Sequence, residues 1–127
     1  MDNDSFSIRA SFFPIRLTAF IQSHVEMEVT IINNTKEIYW LECDVNLPDA
    51  ISLAPDRKLS KGRSRIGIVG PKGRATKRIK IYGGASSYPD MYKIKITAYG
   101  FDQQGTIQVR SNKNVKLRCE RIGDQNE

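Results

Sequence analysis

The chain has 127 residues, of which 39% are hydrophobic and 27% are charged, and a net charge of +6. This length and balance are typical of one soluble globular domain, and they exclude a wholly disordered chain. The first residues lack a cationic head and an apolar run, and no stretch approaches the roughly 20 apolar residues that cross a membrane. We therefore predict a cytoplasmic protein without a membrane partner. It would form one domain over residues 1–127, with flexible tails at about 1–5 and 122–127.

Apolar and polar side chains alternate in five segments, which is the pattern of half-buried strands. In chain order, the predicted inward positions are Val25, Met27, Val29 and Ile31; Tyr39, Leu41, Cys43 and Val45; Ile79 and Ile81; Tyr92, Ile94, Ile96 and Ala98; and Val115, Leu117 and Cys119. Turn-forming residues separate these segments at 33–36, 48–49, 70–73, 83–85, 89–90 and 111–114. We predict an all-β immunoglobulin-like β-sandwich of about seven to nine antiparallel strands, with a small β-barrel as the alternative.

Three motifs extend this prediction to a known type of module: NLPDAISL, GPKGRATKRIKIYG and SYPDMYKIKITAYG. Over roughly residues 24–119, the chain resembles the immunoglobulin-like modules of the CARDB and NPCBM-associated type. Asp90 stands where those modules usually have glycine, and they are commonly extracellular. The resemblance implies the sandwich fold and brings no catalytic residue with it.

An immunoglobulin-like topology also predicts how the strands pair. Strand 24–32 would lie antiparallel to 74–82, and strand 38–46 antiparallel to 91–99. The opposite-charge pairs that result are Lys80–Glu26, Arg78–Glu28, Lys95–Glu42 and Lys93–Asp44. Such cross-strand pairs help to fix the register of a sheet, so most of these cations are predicted to be structural.

Positive charge is concentrated in the middle of the chain, where residues 57–89 contain ten Lys or Arg and no acid. Residues 70–73 lack the spacing of a phosphate-binding loop and precede a strand rather than a helix, so we predict a turn. Residues 57–65 show no clean alternation and are predicted to be a loop or an irregular sheet edge. This segment is either a solvated edge or a polyanion-binding patch. The patch would consist of Arg57, Lys58, Lys61, Arg63 and Arg65, with Lys72 and Arg74 on the following turn.

A second candidate surface is apolar. The predicted register leaves Ile38, Trp40 and Tyr99 facing outward at one end of a sheet. Tryptophan and tyrosine are favoured anchors in protein interfaces, so these three residues are candidates for binding a protein partner. The alternatives are that Phe12 and Phe13 cover Trp40, or that Trp40 belongs to the core.

Little in the sequence indicates an enzyme. His24 is the only histidine and starts a strand, where we expect it to be solvated. Cys43 and Cys119 fall on apolar faces and are predicted to be buried thiols. Residues 33–35 match a glycosylation acceptor but are predicted to be an ordinary turn. We predict a non-catalytic interaction module without metal or cofactor that docks a protein partner, with nucleic-acid binding through residues 57–65 as the alternative.

Overall fold

A computed structural model describes residues 5–122 of the chain. These residues form eight β-strands, and they contain no helix long and apolar enough to cross a membrane. The strands are β1 Phe6–Phe13, β2 Arg16–Thr18, β3 Ser23–Asn33, β4 Tyr39–Asn46, β5 Lys61–Val69, β6 Arg74–Gly83, β7 Asp90–Phe101 and β8 Ile107–Glu120. The tails predicted at about 1–5 and 122–127 fall mostly outside the described residues. Ser5 is held in place, because its carbonyl accepts a hydrogen bond from the Asn34 amide at 2.8 Å.

The strands form two sheets, which confirms the predicted β-sandwich. A three-stranded sheet has the order β1-β3-β6, and a five-stranded sheet has the order β2-β8-β7-β4-β5. All neighbouring strands are antiparallel except β2 and β8, which are parallel. This short parallel pair is a departure from the all-antiparallel arrangement that the sequence predicts.

The inner faces of the two sheets form the core. The β3 side chains predicted to face inward, Val25, Met27, Val29 and Ile31, are all fully buried. Every other predicted inward side chain is either buried or packed against the same core. The alternation of the sequence therefore identified the buried face of each strand in which it was regular.

The pairing of β3 with β6 has the predicted register. Glu26 lies opposite Lys80, and Glu28 lies opposite Arg78. The Arg78 guanidinium contacts both acids, with Nε 3.2 Å from Glu28 Oε2 and Nη1 3.8 Å from Glu26 Oε1. These charges belong to the outer face of the three-stranded sheet.

The pairing predicted for β4 and β7 is wrong by four residues. Lys95 lies opposite Asn46 rather than Glu42, and Glu42 lies opposite Tyr99. A slide by an even number of residues leaves every side chain on its predicted face, so the apolar alternation could not detect it. Lys93 therefore lies beyond the end of the β4–β7 pairing, and on the other side of β7 it lies opposite Lys116 of β8.

Two segments predicted to lie outside regular strands are strand residues. Residues 61–65 begin β5, one of the two edge strands of the larger sheet, and residues 111–114 lie inside β8. The residues on their inner faces are Gly62, Ser64, Ser111 and Lys113, because these positions lie opposite inward-facing residues of β4 and β7. When the inward-facing residues of a strand are small or polar, apolar and polar residues no longer alternate along it, and the sequence does not reveal the strand.

The β3–β6 charges give a first testable prediction. Replacing Glu26 and Glu28 together with lysine should lower the free energy of unfolding by about 1 kcal/mol, because opposite charges become like charges across the ladder. Chemical denaturation measures this change. Glu37→Lys, in an exposed loop, is the control and should have almost no effect. Unchanged stability with increased polyanion binding would instead assign Arg78 and Lys80 to a ligand surface.

Candidate protein-docking groove

A shallow groove of about 570 Å³ lies at one end of the outer face of the five-stranded sheet. Three strands supply its apolar side chains: Trp40 is the second residue of β4, Ile68 is near the end of β5, and Phe101 ends β7. Trp40 lies opposite Ile68 on one side and opposite Phe101 on the other. Ile38 precedes β4 and completes the set. We call Ile38, Trp40, Ile68 and Phe101 the apolar groove.

The apolar groove is distinct from the core because its side chains are exposed to solvent. Ile38 is 64% exposed, Trp40 39% and Ile68 68%, although all three are large and apolar. Single exposed apolar residues are common on soluble proteins, whereas neighbouring ones that line a concave surface are typical of an interaction site.

Asn33 holds the groove end together from beneath. It is fully buried, and its Nδ2 donates to the Glu37 carbonyl at 2.8 Å and to the Val69 carbonyl at 3.1 Å. Its Oδ1 accepts from the Thr35 amide at 2.9 Å. One side chain thus joins the loop that carries Ile38 to the end of β5. Because Asn33 is buried, the folded protein cannot be glycosylated there, which agrees with the predicted structural turn.

The other wall of the groove is the turn between β7 and β8, which Asp102 stabilises. Asp102 Oδ1 accepts hydrogen bonds from the Gln104 and Thr106 amides at 2.9 and 3.0 Å. Its Oδ2 accepts from Gln108 Nε2 at 2.8 Å. The Thr106 amide is the main cause that lowers the pKa of the Asp102 carboxyl, so the carboxylate form fixes the turn.

Tyr99 does not lie in the groove as an exposed side chain. It is 8% exposed, because the Arg63 and Arg110 guanidinium carbons lie 4.8 and 5.3 Å from the centre of its ring. Neither Phe12 nor Phe13 covers Trp40: they lie opposite Met27 and Glu26 of β3, at the far end of the sandwich. The structure therefore brings Ile38 and Trp40 together and places Tyr99 one row further along the sheet, under cations.

The sequence prediction missed Ile68 because of a β-bulge. The register of β4 and β5 shifts between Leu41 and Glu42, and Gly67 adopts a φ of 132° that favours glycine. Ile66 packs against the core, whereas Ile68, two residues later, is exposed. A regular strand would place both side chains on one face, so the pattern alone gives the wrong answer for one of them.

The seven cations predicted as a polyanion patch are distributed over three regions. Lys61, Arg63 and Arg65 are on the exposed face of β5, Arg57 and Lys58 are in the preceding loop, and Lys72 and Arg74 are beyond the other end of β5. Arg74 belongs to β6 in the opposite sheet. The loop cations have local partners, since Arg57 pairs with Asp56 and Lys58 Nζ donates to the Ile51 carbonyl at 3.2 Å.

Arg63 is a structural cation. Its Nε and Nη2 donate to the two carboxylate oxygens of Asp44 at 2.6 and 3.0 Å. This bidentate contact lowers the pKa of the Asp44 carboxyl, mainly through the hydrogen bond. Asp44, which was predicted to pair with Lys93, therefore pairs with Arg63 instead.

The groups that could serve in catalysis are dispersed. Within residues 5–122, no three His, Cys, Asp or Glu side chains are grouped to hold a metal ion. His24 is exposed beside the Tyr82 ring, and Cys43 and Cys119 are buried free thiols. Burial raises the pKa of Cys43 to about 11, so this thiol stays protonated at neutral pH and is a poor nucleophile.

The raised pKa of Cys43 gives a second prediction. At pH 8, the native protein should react with iodoacetamide at Cys43 at least about tenfold more slowly than the unfolded protein, because both the thiolate fraction and access fall on folding. Mass spectrometry of the labelled peptide measures the rate, with the protein in urea as the reference. Equal rates in the two states would show that Cys43 is reachable and activated.

Comparison with known proteins finds structures of similar fold but no match by sequence. No protein-family model matches the chain, and no curated protein matches it. Among solved structures, AvmM, which catalyses macrocyclization in alchivemycin A biosynthesis, has a TM-score of 0.61 at 11% identity, over 93% of this chain and 90% of its own. BslA, a bacterial hydrophobin, has a TM-score of 0.52 at 13% identity, over 91% of this chain and 95% of the BslA chain.

A CARDB domain from Pyrococcus furiosus has a TM-score of 0.50 at 14% identity, over 91% of this chain and 85% of that domain. This likeness confirms the predicted fold-level resemblance to CARDB modules. Proteins that share so little sequence share the fold alone, and functions on one fold differ widely. The chain is an all-β sandwich similar in architecture to CARDB domains.

Proposed function

We propose that this protein is a non-catalytic module that docks a protein partner in the apolar groove. The observation that carries the proposal is the position of Trp40, half-exposed at the centre of the groove between Ile68 and Phe101. A tryptophan among aliphatic side chains in a concave site is the usual composition of an energetic anchor in an interface. The protonated thiols and the solvated His24 favour binding over catalysis.

The walls of the groove support the same proposal. Asn33 fixes the loop before β4 to the end of β5, and Asp102 fixes the turn after β7. A site whose walls are already ordered loses little conformational entropy when a partner binds. The hydrogen bonds therefore favour a preformed docking site over a groove that must form on binding.

Two matched variants test the groove. Ile68 is 68% exposed inside it, and Ile15, between β1 and β2, is 66% exposed outside it. Immobilised wild-type protein, Ile68→Ser and Ile15→Ser would be compared in capture of proteins from a nuclease-treated lysate of the source cells. We expect one partner to be retained by the wild type and Ile15→Ser, and lost with Ile68→Ser. Equal retention by all three, or loss of the partner on nuclease treatment, would contradict the proposal.

Nucleic-acid binding is a second candidate, favoured by one observation on the same sheet. Lys93 lies directly opposite Lys116, with Lys95 two residues along β7, and like charges in this position destabilise a sheet. A polyanion would relieve that repulsion. If this surface binds nucleic acid, affinity should fall steeply with salt and be independent of sequence. Replacing Lys93, Lys95 and Lys116 with glutamine should then reduce the salt slope by about 2–3.

A further inference from the structure

We infer that the partner adds an extended segment to the free edge of β5, and that this segment carries two acidic residues four positions apart. The inference rests on the proposed function and specifies the partner of the same site. It follows from the main-chain groups that β5 presents, from the side chains beside them, and from the continuity of this edge with the apolar groove.

The edge of β5 offers unpaired main-chain groups. Among residues 5–122, β4 is the only strand paired with β5, so one side of β5 has no strand partner. The Leu47 amide donates to the Ser60 carbonyl at 2.8 Å, which makes this a hydrogen-bonded pair of the β4–β5 ladder. By the alternation of an antiparallel ladder, Gly62 and Ser64 face β4, and Lys61, Arg63 and Arg65 direct their amides and carbonyls to the free edge.

Other sheet edges carry lysines on their inner faces that oppose strand addition, and the inner face of this part of β5 carries no charge. Lys77 of β6 lies opposite the buried Val29, so it is a lysine on the inner face of an edge strand. Lys113 of β8 likewise lies opposite the buried Ile96. Inward charges of this kind discourage another strand from pairing. The inner-face residues of β5 before its bulge are Gly62 and Ser64, which leave the edge open.

Charge selects the incoming segment. Within residues 5–122, Lys61 and Arg65 form no ion pair, because Arg63 is paired with Asp44 and also lies 3.8 Å from Glu42, the acid opposite Arg65. An incoming strand would therefore gain from acids opposite Lys61 and Arg65, with a neutral residue between them opposite Arg63. A second copy of β5 is unfavourable, because antiparallel pairing about Arg63 would place Lys61 against Arg65 of the other copy.

The same strand leads into the apolar groove. β5 passes from Lys61 to Ile68, and Ile68 is the groove residue next to this edge. An antiparallel segment would therefore begin with an apolar residue beside Ile68 and continue with the two acids. Strand addition of this type obtains affinity from the main chain and specificity from alternate side chains.

Amide hydrogen exchange measured by NMR tests the inference. The probe is the acetylated peptide Leu-Thr-Glu-Val-Thr-Val-Glu-amide, which has the required apolar residue and spacing of acids. In the free protein, the amides of Lys61, Arg63 and Arg65 should exchange fast and those of Gly62 and Ser64 slowly. Saturating peptide should slow exchange at the first three by at least about tenfold. The same peptide N-methylated at its first glutamate and its second threonine keeps its charge but should give no protection.

Variants test the role of charge. Lys61→Gln/Arg65→Gln should weaken peptide binding about five- to tenfold, whereas Arg9→Gln/Lys80→Gln, with the same charge change on the other sheet, should not. Unchanged exchange at residues 61, 63 and 65, or equal binding of the N-methylated peptide, overturns the inference. Displacement of the peptide by oligothymidylate with no protection would assign the surface to a polyanion and overturn it as well. If any of these results is obtained and Ile68→Ser still abolishes partner capture, only the inference of strand addition is overturned. The proposed docking function is then retained.

Discussion

Replacing Asn33 with aspartate is expected to lower the free energy of unfolding by about 3 kcal/mol, although the two side chains have almost the same shape. The exchange places a carboxyl oxygen where Nδ2 now lies 2.8 Å from the Glu37 carbonyl and 3.1 Å from the Val69 carbonyl. Two hydrogen bonds are lost at a fully buried position, and oxygen faces oxygen. Protonation of the aspartate would restore one donor at most, so the loss should be smaller in acid. Denaturant unfolding at pH 5 and pH 8 measures both effects.

Asn34→Asp is the matched control for this substitution. Asn34 is the next residue, and its side chain is exposed, with Nδ2 donating to Ser7 Oγ at 2.8 Å. We expect a loss of no more than about 0.5 kcal/mol there. A similar loss for the two variants would show that Asn33 does not connect the loop before β4 to β5 as the structure indicates.

Gly100→Ala should lower the free energy of unfolding by about 2 kcal/mol, because the site is already filled. A Cβ at this position would lie 2.7 Å from Phe6 Cζ and 3.2 Å from Tyr39 Cγ. Phe6 is 1% exposed and packs edge-on against the Tyr39 ring at 5.8 Å, so neither ring can move without disturbing the core. Gly100 also precedes Phe101, and the strain should reach the floor of the groove. Thermal or denaturant unfolding measures the loss.

Gly84→Ala provides the comparison for Gly100→Ala. Its Cβ would meet only Gln22 Oε1, at 3.7 Å, which is an ordinary contact. The same chemical change should therefore be almost neutral at Gly84. A loss at Gly84 equal to that at Gly100 would mean that backbone entropy, and not crowding against Phe6, dominates both substitutions.

The fold was predictable because the central strands are buried on one face only. Val25 through Ile31 in β3 and Leu41 through Val45 in β4 alternate without interruption, and each predicted face is the observed one. The β3–β6 register was predictable for a second reason: Glu26 and Glu28 meet cations only in one alignment. Apolar period and charge thus agreed for this pair of strands.

The groove was only half predictable. Ile38 and Trp40 follow from the alternation of β4, but Phe101 and Ile68 depend on the β7 register and on the bulge at Gly67. Sequence period cannot distinguish registers that differ by an even number, and it fails at a bulge. Tyr99 was assigned to the correct face, and its burial by Arg63 and Arg110 depends on those same contacts between distant strands.

Trp40 is the only tryptophan in the chain, so its fluorescence reports directly on the groove. The most direct test of the docking proposal is a titration in which the captured partner is added to the protein and the emission of Trp40 is recorded. The partner is used as a fragment that contains no tryptophan, or as a labelled fragment, so that the signal comes from Trp40. We predict a saturable shift of the emission to shorter wavelength, because a docked partner removes water from a side chain that is now 39% exposed. The same titration with Ile68→Ser should require a much higher partner concentration. Binding by the wild type with an unchanged Trp40 spectrum would contradict the account.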